Sequence, residues 1–142
     1  MPSAGDPSAA GPVDLERLGG QDAVRDWVRR FYDKVALDPL LAPLFPPDLT
    51  ASRDKQFRYF VELFGGPPLY SQAHGKPFLR FKHRLAKIGR PERDAWMRLL
   101  LESLLETTGD AALVAAVEAR IAPIADAMVN HHPQRQDAQY FN

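Results

Sequence analysis

Hydrophobic positions recur at helical spacing along most of the chain. "VDLERLGG" reads as a short helix ended by Gly19 and Gly20, where glycine takes the left-handed cap at no steric cost. From Gln21 to about Leu37, the residues Val24, Trp27, Val28, Phe31 and Val35 fall at i, i+3, i+4, i+7 and i+11, one apolar stripe along a helix. "DPLLAPLFPPD" follows. Asp38 reads as a cap with Pro39 at the first helical position, and the later prolines allow only short turns. Thr50 or Ser52 opens the next helix, which runs to Phe64 and is stopped by "GGPP". From Leu69 to Gly89 the periodicity is weak, and a stretch that long inside a compact domain points to function. Pro91 starts a further helix with Glu92 and Asp94 well placed in its first turn; its stripe is Trp96, Leu99, Leu100 and Leu104. After "TTGD", Asp110 caps a last helix to about Asn130, where Pro123 predicts a kink. No segment alternates between turn signals as a strand would. The pattern predicts an all-α domain of four substantial helices, with an unusually long loop between the second and third.

The two ends depart from this pattern. Residues 1–12 are rich in Pro, Ala, Ser and Gly and read as a disordered N-terminal tail; residues 133–142 read as a C-terminal tail after Pro133; the domain is expected over 13–132. The 142 residues suit one core, and 45% hydrophobic with 25% charged residues suits a soluble globular protein. Eighteen basic residues balance eighteen acidic ones, so nothing favours nucleic acid or a membrane surface as a partner. No apolar run reaches transmembrane length, and "MPSAGDPSAAGPVD" lacks the regions of a signal peptide; the expected location is cytoplasmic. Cysteine is absent, which excludes disulfides and thiolate metal ligands.

Four histidines are the candidate ligands. His131 and His132 lie beside Pro133 and read as a solvated pair; His74, beside Gly75, reads as a surface turn. His83 lies in the weakly periodic stretch, in "PFLRFKHRLAKIG". Elsewhere Tyr32 sits on the edge of its stripe, Ser52, Gln56, Tyr59, Phe60 and Leu63 share one helical face, and Trp96 heads another. Two readings follow. Tyr32, Gln56 and Trp96 are separate core residues satisfied by backbone, or they converge on one apolar pocket as donors. Spacing does not separate them. No Gly-rich phosphate loop or His-Glu-x-x-His motif competes.

A resemblance does separate them. "LGG", then "FYDKVALDPLLAPLFP", then "YFVELFGGPPLYSQAHGKPFLRFKH" and "ERDAW" resemble the truncated haemoglobins, most closely their group II, over roughly residues 15–131. The resemblance implies a 2-over-2 helical sandwich around haem b. The haem is non-covalent, because Cys-x-x-Cys-His is absent. It implies His83 as the proximal iron ligand, Tyr32, Gln56, Trp96 and Ser52 on the distal side, and Phe45, Tyr59, Phe60 and Leu63 as haem packing. Lys55, Lys82 and Arg80 fall at propionate positions. Relatives often read "RHxPFxI" after the histidine; here the sequence is "HRLAKIG", so the loop behind the ligand departs from theirs.

The implied function is binding of O2, with NO, CO or H2O2 as further ligands, in a donor-rich pocket suited to retention, sensing or redox chemistry rather than bulk transport. Nitric oxide dioxygenation or peroxide reduction would need a separate reductase, since no flavin or nicotinamide motif is read in the chain. The assembly expected is a monomer or homodimer. The alternative is a globin-fold sensor or interaction module without oxygen chemistry.

Overall fold

The computed structural model describes residues 12–132, so the expectations for the two tails fall outside the described residues, apart from residue 12. Among the described residues every regular element is helical. α1 (Leu15–Leu18) opens on Asp14, whose carboxylate accepts the Arg17 N–H at 2.8 Å, and closes on Gly19 in the left-handed region. α2 (Gly20–Val35) begins at once, with Val24, Trp27, Val28, Phe31 and Val35 all buried.

Asp38 does not start an α-helix. Its carboxylate accepts the N–H groups of Leu40 and Leu41 at 2.9 and 3.1 Å, and the turn leads into a 3-10 turn at Ala42–Leu44. The prolines that follow lack the donors an α-helix would need. α3 (Thr50–Leu63) comes next. The stretch expected as one long loop instead folds into two short helices, α4 (Leu69–His74) and α5 (Leu79–Lys82). Helices this short complete too few turns to show a period. α6 (Arg90–Thr108) ends on left-handed Gly109, and α7 (Ala111–Met128) is capped by Asp110, which accepts the Leu113 N–H at 3.0 Å. α7 continues through Pro123 and stops short of Asn130, because the N–H groups of Asn130 and His131 turn to the Ile88 carbonyl at 2.8 and 3.0 Å.

The four long helices pack as two pairs, α2 with α3 and α6 with α7, joined by α2 against α6. Trp27 marks that seam. Its indole N–H donates to the Leu100 carbonyl at 2.9 Å in a buried contact, and its ring stacks on Phe60 of α3 at 4.6 Å. Burying each large apolar side chain contributes about 1.5–3 kcal/mol. The hydrogen bond nets nearer 1 kcal/mol, so burial drives the packing and the bond sets its register.

α1 lies on the end of α3, where the Leu15 N–H donates to the Phe64 carbonyl at 2.8 Å. A Cβ at Gly66 would stand 2.8 Å from Leu15 Cδ2 and 2.9 Å from the Val61 carbonyl oxygen, so no side chain fits there. Just beyond, the Glu62 carboxylate accepts the Ser71 hydroxyl at 2.6 Å and its N–H at 2.8 Å, which lowers the Glu62 pKa and ties α4 to α3. Gly66→Ala should therefore cost about 1–3 kcal/mol by overpacking. The measurement is the urea midpoint, expected to fall at unchanged slope; an unchanged midpoint would mean α1 has slack against α3.

Candidate functional site

Between the helices lies a cavity of about 480 Å³, within the range of roughly 300–1,000 Å³ usual for small-molecule sites. α3 builds its longest wall with Ser52, Lys55, Gln56, Tyr59, Phe60 and Leu63, which recur at helical spacing. α7 adds Ile121, Ile124, Ala125 and Met128 by the same repeat. Tyr32 enters from α2 and Trp96 from α6. Phe45, in extended backbone after the 3-10 turn, stands edge-on to Tyr32 with ring centres 5.6 Å apart. Phe31 lies edge-on to both Tyr32, at 4.9 Å, and Trp96, at 5.8 Å, so one buried ring sets the positions of both.

The cavity thus brings together Tyr32, Gln56 and Trp96. Among the described residues, none of the Tyr32 hydroxyl, the Gln56 amide and the Trp96 indole N–H has a hydrogen-bond partner, and each opens onto the cavity, since no fully buried side-chain N or O there lacks one. Of the two readings, separate core donors satisfied by backbone do not describe these three. Trp27 does fit that description, through Leu100. Burial pushes the Tyr32 hydroxyl well above the usual phenol range, so it remains an O–H donor at neutral pH. Burial also raises Tyr59, less strongly.

Across the cavity, α5 and the residues after it contribute Leu79, Lys82, His83, Ala86 and Ile88. His83 closes α5 as its C-cap, and its Nδ1 lies 2.7 Å from the Leu79 carbonyl oxygen. A carbonyl can only accept, so Nδ1 carries the proton and Nε2 of the neutral ring keeps its lone pair. That is the state a metal ligand needs. Among the described residues no three His, Cys, Asp or Glu side chains gather to hold an ion. A single free imidazole nitrogen on an apolar cavity fits a metal whose other ligands come from a macrocycle, as in haem. His74 ends α4 against the Tyr70 ring at 5.1 Å, and neither it nor His131 nor His132 lines the cavity.

Of the three expected propionate cations, Lys55 and Lys82 line the cavity and Arg80 does not. Positions two apart on a helix point to different sides, so Arg80 and Lys82 cannot share a face. Lys82 is already engaged. Its Nζ donates to the Tyr70 hydroxyl and the Lys76 carbonyl, both at 2.9 Å, and to the His74 carbonyl at 3.4 Å. Lys55 has no ion-pair partner among the described residues. Tyr70, Glu92 and Arg93 line the cavity without having been expected there. Tyr70 lies in the weakly periodic stretch, where spacing carries no signal. The α7 wall does have one, since Ile121, Ile124, Ala125 and Met128 repeat at three and four.

The model of the bacterial-like globin family matches residues 15–130. The chain is 39% identical over 85 residues to the group 2 truncated haemoglobin YjbI of Bacillus subtilis (strain 168), a stretch that spans 60% of this chain and 64% of that protein. Its fold is similar to the group II truncated haemoglobin of Bacillus anthracis, with a TM-score of 0.79 at 34% identity over 82% of this chain and 94% of that one. It is also similar to the truncated oxygen-avid haemoglobin of Bacillus subtilis, with a TM-score of 0.75 at 34% identity over 78% and 94%. The chain belongs to the bacterial-like globins, as a group II truncated haemoglobin with that family's fold. Membership supports haem and small-ligand binding as its broad role.

The raised Tyr32 pKa gives a direct check. A tyrosine held protonated by the fold adds stability that is complete below the unfolded pKa near 10 and is lost as pH rises through the folded value. Alkaline titration at 295 nm should show a last tyrosine ionisation, coincident with unfolding, that Tyr32→Phe removes. Survival of that last step in Tyr32→Phe would contradict the assignment.

Proposed function

We propose that this globin binds haem b non-covalently through His83 Nε2 and retains O2, with NO, CO and H2O2 as related ligands, for redox chemistry or sensing rather than bulk transport. The observation that carries the reading is the set of three cavity donors, Tyr32, Gln56 and Trp96, with no partner among the described residues. Haem, when bound, supplies an iron atom that takes small gaseous ligands. The chain's own residues do the rest. His83 offers a lone pair in a fixed tautomer. The apolar side chains of α3 and α7, among them Phe60, Leu63, Ile121 and Ile124, line the cavity. The three donors face the ligand as an oxyanion site does. Ser52, one turn before Gln56, would stand at the entry to that side, and Phe45, Tyr59, Phe60 and Leu63, which line the cavity, would pack on the ring. Lys55 would be the readier partner for a propionate; Lys82 would have to give up the oxygens of Tyr70, His74 and Lys76 to serve as one. The oxygen-avid neighbour from Bacillus subtilis supports retention. Any turnover would draw electrons from a separate reductase.

Each hydrogen bond to an acceptor with negative character contributes about 1.5–3 kcal/mol, or about tenfold to one hundredfold in the rate of release. Stopped-flow O2 dissociation from the haem-loaded protein should be slow. Tyr32→Phe, Gln56→Leu and Trp96→Phe should each speed it by about that factor. Fast release that none of the three changes would overturn retention.

A further inference from the structure

The loop after His83, "RLAKIG", is held by a residue far away in sequence. At the C-terminal end of α5 the His83 carbonyl leaves the helical ladder and accepts the Ala86 N–H at 3.0 Å. Asn130, two residues past α7, reaches into this turn. Its Nδ2 donates to the Ala86 carbonyl at 2.8 Å and to the His83 carbonyl at 3.3 Å, while its Oδ1 accepts the Ile88 N–H at 2.9 Å. The N–H groups of Asn130 and His131 both donate to the Ile88 carbonyl, at 2.8 and 3.0 Å. The partners fix the amide's orientation, because carbonyls only accept and an N–H only donates.

Little apolar packing competes with this tie. Phe81 is 64% exposed, Leu85 88% and Phe78 65%. Phe78, at the entry to α5, also holds a strained left-handed backbone at φ 39°. The segment carrying His83 therefore has strain at one end and Asn130 at the other, with only partial burial at Leu79, Ala86 and Ile88 between them.

We propose that Asn130 is a positioning residue for His83. It holds the backbone from which the ring projects, and so sets the direction of Nε2 into the cavity; this rests on the haem-binding role proposed above. Asparagine suits the position because one planar group supplies a donor to two carbonyls and an acceptor to one N–H. Aspartate would keep the Ile88 bond and set a charged oxygen against both carbonyls. Alanine would remove all three bonds. Asn130 is itself exposed, so global stability should depend little on it while the placement of His83 depends on it strongly.

The test uses the full chain loaded with haem, and the unloaded chain in parallel. Asn130→Ala and Asn130→Asp should release haem to an apoglobin acceptor at least about tenfold faster, the scale of outer-shell partners at metal sites. Their ferrous iron–histidine stretching band should broaden or shift, Asn130→Gln should restore part of both effects, and the thermal midpoints of the unloaded chains should hold. Amide exchange at Ile88 should quicken in unloaded Asn130→Ala, which alone loses the acceptor for that N–H. Wild-type haem release and an unmoved band, with quickened Ile88 exchange, would overturn the positioning role and leave a simple loop tie. Should Asn130→Ala fail to fold, Asn130→Asp carries the haem-release and stretching-band comparison through loss of the bonds to the His83 and Ala86 carbonyls, and wild-type values of both would overturn the role. A wild-type chain that takes up no haem would overturn the proposed function and this role with it, a result distinct from a loaded wild type whose variants behave alike.

Discussion

The seam between α2 and α6 is the constraint on which the site depends, and Trp27 locks it. Its indole N–H reaches the Leu100 carbonyl across a dry interface while its ring stacks on Phe60 of α3. One side chain thereby fixes three of the four long helices against one another. Tyr32 lies little more than one turn beyond Trp27 on α2, and Trp96 lies one turn before Leu100 on α6. Phe31 touches both edge-on, so the register of the seam becomes the spacing of two donors. Phe60 faces the seam and the cavity at once, which links core packing to the wall of the site.

The opposite side of the cavity is built on different physics. α5 is a single short turn with Phe81 exposed on it, and it owes its place to hydrogen bonds rather than to burial. The Leu79 carbonyl selects the His83 tautomer, the Asn130 amide holds the turn behind it, and Lys82 spans the end of α4. A donor side set by buried packing thus faces a side held by hydrogen bonds. The division is reasonable for a site that must admit a large planar group and then grip it, since core interfaces resist small displacements and surface turns do not.

The long helices were readable because stripes such as Val24, Trp27, Val28, Phe31 and Val35 are buried for the reason they are periodic. The short helices were not, since Leu69–His74 and Leu79–Lys82 end before a period can form. Asp38 carried the signature of a helix cap, but the prolines after it left only a turn to cap. For Tyr32, Gln56 and Trp96, spacing marked edge positions without distinguishing core from cavity; the resemblance to truncated haemoglobins grouped them, and the cavity geometry shows them together. Arg80 was grouped with Lys82 by the resemblance and is separated from it by helix geometry. Asn130 gave no signal, because its bonds to His83, Ala86 and Ile88 cross more than forty residues of chain.

The proposal on which the rest turns is that His83 Nε2 is the proximal protein ligand of a haem seated in this cavity. Haem titration of the unloaded chain, followed at the Soret band, tests it most directly when His83→Gly is compared with and without added imidazole. The account predicts one haem per wild-type chain, weak uptake with an altered band in His83→Gly, and recovery of the wild-type band when imidazole takes the place of the missing ring. A colourless wild type, or a His83→Gly that binds haem with the wild-type band unaided, would contradict it.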